Sequence, residues 1–141
     1  MEIAILFWTM MFASCGYAVV LGGWEGKCTT AIIFLATALT VLSNRWLDVH
    51  WHETNVTVFA VDVLTLLAMY LVAVRSHHWW PLWVAAFQLN SVAAHLATVI
   101  SPQFSNLVYQ GYEGLWAIPG QLAMVVGIFR DRLWKYRYEF A

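Results

Sequence analysis

The chain has 141 residues, 62% of them hydrophobic and 11% charged, with a formal net charge of −1. Soluble domains carry about 45–50% apolar and about 25% charged residues, and a chain of this length cannot enclose so large an apolar excess. Composition therefore excludes an ordinary water-soluble fold and makes lipid the expected solvent.

The apolar residues fall into runs near the roughly 20 residues that cross a bilayer core about 30 Å thick. Without the period-2 alternation of barrel strands, such runs satisfy their backbone hydrogen bonds as helices. The expected fold class is all-α, a polytopic transmembrane helical bundle in one domain over residues 1–141. The first span runs from Ile3 to Leu21 and ends in the turn chemistry of Gly22-Gly23 and Gly26. The second, Thr29 to Ser43, stops at Ser43-Asn44. The third, Val56 to Val74, holds a single acid, Asp62, and is separated by Ser76 to His78 from the fourth, Trp80 to Ile100. After Ser101-Pro102 comes the fifth, Leu115 to Phe129, with Pro119 in its first turns, where a missing amide costs least. A four-span alternative lays the second or fifth segment in the membrane interface.

Orientation follows from the cations. Lys27, Arg75, Arg130, Arg132, Lys135 and Arg137 share one side and Arg45 lies on the other, so the positive-inside rule puts the C-terminus in the cytoplasm and the N-terminus outside. No Lys or Arg precedes the first span, which argues against a cleaved signal peptide. The expected location is a bacterial inner (plasma) membrane. Trp24, Trp79, Trp80, Trp83 and Trp134 gather near the inner boundaries and Trp46, Trp51 and Trp116 near the outer ones, as interfacial belts do. Cys15 and Cys28 lie toward the cytoplasmic side, away from disulfide-forming compartments. The basic tail Arg130 to Arg137, interrupted by Asp131, suits a solvated face touching anionic lipid, and nucleic acid is set aside as a partner.

Helical phase picks out the chemistry. Gln88, Ser91, His95 and Thr98 recur at spacings of three and four on the fourth span and share one face. Asp62, Thr65 and Met69 do so on the third, and Thr30, Thr37, Thr40 and Asn44 on the second. Each span thus has one wetter side, which predicts a polar interior and an apolar exterior. At about 1.5 Å per residue, Asp62, His95 and Gln121 all lie roughly 9–10 Å below the outer boundary. The expected intramembrane cluster is Asp62, His95, Gln121 and Gln88, with Glu113 above it at the mouth. An ionised carboxylate at mid-helix costs on the order of 3 kcal/mol, so Asp62 must face inward, be protonated or hold a partner, and His95 is the best placed. Two readings follow: a proton, cation or metal site using Asp62, His95 and Glu113, or a structural hydrogen bond fixing helix packing.

A second constellation, Asp48, His50, His52 and Glu53, lies in the outward loop, where alternate residues of an extended segment face one way and His with carboxylate suits Zn, Cu or Ni. The turn of helix from Ser91 to His95 is similar to the Ala-x-x-x-His pattern of light-harvesting polypeptides, but those have a single span, and the similarity implies no function here. No cofactor is assigned, since a bis-histidine haem needs two intramembrane histidines and only His95 lies within a span. GxSxG, P-loop and GxGxxG motifs are absent, which argues against an enzyme. The preferred expectation is a non-catalytic accessory or assembly subunit of a larger membrane complex, its partners being lipids and other membrane subunits, or itself as a homo-oligomer. The alternative is a small transporter, channel or metal/proton-handling protein working through Asp62 and His95.

Overall fold

A computed structural model describes residues 2–46, 56–100 and 116–139. These form five helices and, among the described residues, no strand: α1 Glu2–Leu21, α2 Gly23–Trp46, α3 Val56–Arg75, α4 Trp80–Ile100 and α5 Ala117–Glu139. Two segments, Gly23–Ser43 and Val56–Arg75, are long and apolar enough to cross a membrane, and Phe7–Leu21 is a shorter apolar helix.

Two helices differ from expectation at both ends, the second also running past Ser43 to Trp46. The second helix begins at Gly23, not Thr29, because the turn before it is only one residue long. Gly23 sits at φ +64°, where a side chain would be strained, and the Gly22 amide still donates to the Ala18 carbonyl at 2.8 Å while Gly26 donates to Gly22 at 2.9 Å. Glu25 and Lys27 interrupt an apolar run without interrupting a helix, and an acid in the first turn complements the helix dipole. Gly26 is correspondingly a helical residue and not part of the turn. The fifth helix starts at Ala117 instead of Leu115 and continues past Phe129 to Glu139, through the charged stretch from Arg130 that hydropathy leaves out but helix propensity accepts.

Each helix packs on the next in sequence, and α5 returns to pack on α1, so the five close into a ring. The short α1–α2 and α3–α4 turns and the distal part of α5 share one end, since Ser76 and His78 meet Glu25, and His78 meets Asp131. This half is sealed by an apolar core of Ala18, Met69, Trp80, Val84, Ala85, Met124 and Ile128. Trp80 therefore belongs to the core, at 4% exposure, and not to an interfacial belt, whereas Trp24, Trp79, Trp83 and Trp134 are exposed. Its depth has a local cause: a Cβ on Gly127 of α5 would run into the Trp80 side chain, so the bare glycine admits the indole between α4 and α5. Gly26 plays the same part between α1 and α2, where a Cβ would meet the Ala18 carbonyl. Close approach at small residues lets neighbouring helices gain van der Waals contact.

Candidate functional site: a chamber around Asp62

Above the core the ring does not fill. A cavity of about 440 Å³ extends away from the turn end, reaching Phe7 of α1, Val41 of α2, Val58 of α3 and Trp116 at the start of α5. Its floor is the top of the core, Ile33, Met69 and Val84. The predicted wet faces of three helices converge on it, bringing Thr37 and Thr40 from α2, Asp62 and Thr65 from α3, and Gln88 and Ser91 from α4. The Thr37 and Thr65 hydroxyls donate back to Ile33 and Val61 carbonyls at 2.8 and 2.7 Å, so they turn a polar oxygen inward without needing an interhelical partner.

Asp62 is the one carboxylate on the chamber wall among the described residues, and α4 supplies three donors to it. The Gln88 Nε2 donates to Oδ1 at 3.2 Å, the Ser91 hydroxyl donates to Oδ2 at 3.3 Å, and the His95 Nε2 lies 3.0 Å from Oδ2. Spacings of three and four on one helix put these groups on a single face, which is why one acid on α3 can meet all of them. The tautomer of His95 sets the direction of this contact: Nε2 donates to Oδ2 when it carries the ring proton. The His95 side chain is 1% exposed and that of Asp62 is 16% exposed, so the imidazole lies behind the acid and the acid borders the chamber. Phe59 closes over the imidazole, edge to face at 5.7 Å. With Nε2 engaged and the ring buried, a flat macrocycle has no approach to His95.

The expected cluster is thus assembled in part. Asp62, His95 and Gln88 are in direct contact. Gln121 lines the same chamber but does not reach Asp62; its Oε1 accepts from the Ser14 hydroxyl of α1 at 3.1 Å, while Ser14 also donates to the Met11 carbonyl at 3.0 Å. The depth assigned to Gln121 placed it in the cavity, but depth does not give direction around the helix axis, and α5 closes the ring against α1 as well as α4. Glu113 and the loop constellation Asp48, His50, His52 and Glu53 lie outside the described residues. Among the described residues no group of three or more His, Cys, Asp or Glu side chains is placed to hold a metal ion.

Sequence reading missed two features. On the chamber wall, Trp116 stacks on Phe87 with centroids 6.3 Å apart and planes at 25°, giving the cavity an aromatic side. At the turn end, Glu25 is buried at 5% exposure, accepts from the Ser76 hydroxyl at 3.2 Å and lies 3.9 Å from His78 Nε2. His78 Nδ1 comes within 2.9 Å of Asp131 Oδ2 without hydrogen-bond alignment, a contact that is ionic only when the imidazole is protonated and that bridges three parts of the ring. The alternation of spans already puts Glu25, Ser76, His78 and Asp131 on one side, but hydropathy leaves Glu25 and His78 in separate loops and gives no sign that they touch. Outside the ring, Trp79, Trp83, Trp134 and Arg130 border a groove between α4 and α5. No protein-family model matches this chain, and no curated protein or solved structure matches it.

Proposed function

We propose that this is a small integral membrane protein whose five helices all cross the bilayer, N-terminus outside and C-terminus in the cytoplasm, and that its work is done in the chamber, by binding a small molecule beside Asp62 and His95. Several observations support the membrane placement. Only 22% of Gly23–Ser43 and 28% of Val56–Arg75 is buried, whereas the core helix of a soluble protein is buried along most of its length. The ring carries large apolar side chains on its outside, among them Val20, Leu35, Leu64, Leu89 and Leu122, a continuous greasy surface that suits lipid far better than water. The α1 and α4 helices, of 20 and 21 residues, match a hydrocarbon core about 30 Å thick.

The observation that carries the functional reading is the chamber itself. A strut between α3 and α4 needs the Asp62 contacts, but it needs no cavity of about 440 Å³ in front of them. That volume falls within the roughly 300–1,000 Å³ of small-molecule pockets, which pair apolar walls with a few convergent polar groups. The accessory-subunit reading draws on the apolar exterior, which lipid covers equally well, and it leaves the cavity without a purpose.

Native mass spectrometry of the chain extracted in mild detergent separates the two. The chamber reading predicts a monomer or homo-oligomer carrying a small-molecule adduct that disappears when Ala36→Phe fills the chamber. Isolation as a stoichiometric part of a larger hetero-complex, with no adduct in either form, supports the accessory-subunit reading instead.

A further inference from the structure

We infer that the chamber takes an organic cation, a molecule bearing one ammonium group on a compact apolar or aromatic body. The inference deepens the chamber reading above and rests on it. Charge comes first. Asp62 is an acid on the wall, and no Lys or Arg lines the cavity among the described residues, so an anion would meet repulsion with nothing to offset it. An ionised carboxylate in hydrocarbon is costly, and of the three α4 side chains on it Gln88 and Ser91 are neutral, while His95 offsets the charge only when protonated. An ammonium group supplies the counter-charge.

The atoms of Asp62 leave room for it. A carboxylate offers about four lone-pair sites. Oδ2 is occupied by Ser91 and His95, whereas among the described residues Oδ1 accepts only from the Gln88 side chain, which leaves one acceptor site on the atom opposite the histidine. A charge-assisted N–H donor fits that vacancy, and such bonds are roughly twice as strong as neutral ones. His95 then acts as a positioning residue, holding Oδ2 so that Oδ1 is presented.

The rest of the wall suits the body of such a molecule. Phe7, Phe87 and Trp116 supply aromatic surface, and Met11 and Met69 add polarisable thioethers that adapt to an irregular apolar shape. Ring faces also attract cations, so the aromatic side reinforces the preference of the carboxylate. The polar oxygens of Thr37 and Thr40 lie on the wall contributed by α2, within a chamber that is otherwise mostly apolar.

Three probes of one shape and different charge test this: 2-phenylethylammonium, 2-phenylethanol and phenylacetate, measured by equilibrium dialysis against the purified full-length chain in neutral detergent micelles, with protein-free micelles as the blank. The expected order is ammonium over alcohol over carboxylate. Asp62→Asn should weaken the ammonium probe at least about tenfold, the loss of one charge-assisted hydrogen bond, while shifting the alcohol by less than about twofold. Ala36→Phe should abolish binding of both. If the three probes bind alike and Ala36→Phe blocks them all, the cation preference is overturned and the chamber reading stands. If none binds saturably to the wild-type chain, or if neither substitution changes binding, both are overturned. The comparison of probes on the wild-type chain decides the matter even if Asp62→Asn does not fold.

Discussion

Asp62 holds two jobs at once, and they make different demands on the side chain. In contact with Gln88, Ser91 and His95 it ties α3 to α4; as the one carboxyl group on the wall among the described residues it sets the chemistry of the chamber. Substitution separates them. Asp62→Ala leaves Gln88 only the backbone carbonyl of residue 62 and strands Ser91 and the fully buried His95 imidazole, and should lower stability by roughly 2–4 kcal/mol. Asp62→Asn keeps an acceptor and the shape, and should cost about 1 kcal/mol. Unfolding midpoints in mixed micelles titrated with denaturing detergent would read both. Equal losses from the two substitutions would mean that charge, and not hydrogen bonding, secures the helix pair. The contact of Asp62 with Gln88 and His95 was legible in the sequence because spacings of three and four force one helix face, and an acid in an apolar run must seek donors. The partner of Gln121 was not legible, because Ser14 is a small hydroxyl in an apolar helix and nothing in its own neighbourhood marks it as facing α5.

Helix pairs in this molecule meet where side chains are missing. Gly26 lies against the Ala18 backbone carbonyl and Gly127 against the Trp80 side chain, and both contacts are too close for a methyl group. At Gly26 the obstacle is backbone, which cannot rotate aside, so Gly26→Ala should destabilise by about 1–3 kcal/mol through overpacking. Gly16 is the control, with nothing within 4 Å of its Cβ position, and Gly16→Ala should be neutral or stabilising by about 0.5–1 kcal/mol through helix propensity. The same unfolding titration compares them, and a loss at both positions would point to glycine flexibility instead of close packing. All five helices could be placed from apolar runs, and the ends of α1, α3 and α4 to within one residue, but those of α2 and α5 could not. Hydropathy marks where an apolar run ends, not where a chain stops being helical, so it leaves out Glu25 and Lys27 although they lie in α2, and with them the distal turns of α5.

At the scale of the whole molecule the ring divides into two halves with different contents. The turn end is packed by Trp80, Met124 and Ile128 and tied across its surface by Glu25, Ser76, His78 and Asp131, while the opposite half holds the chamber. The polar patch that α3 and α4 share was foreseeable from helical phase alone, but the expected polar interior is confined to the chamber half, since the other half is an apolar core. The cavity was not foreseeable, because volume depends on how five helices close on one another and no single helix records it. Helix α2 offers the sharpest test, since its chamber face and its outer face alternate along a few turns. Thr37 and Thr40 line the cavity, whereas Leu35, Leu39 and Leu42 are exposed on the outside of the ring. The decisive measurement is the rate at which a small cationic thiol reagent, 2-aminoethyl methanethiosulfonate, modifies single cysteines at these five positions in membrane vesicles, in a chain also carrying Cys15→Ser and Cys28→Ser. A thiol in hydrocarbon does not ionise and stays inert, whereas one facing a polar chamber reacts. The account predicts modification of Thr37→Cys and Thr40→Cys with Leu35→Cys, Leu39→Cys and Leu42→Cys protected; rapid modification of the three leucine positions, with the threonine positions silent, would contradict it.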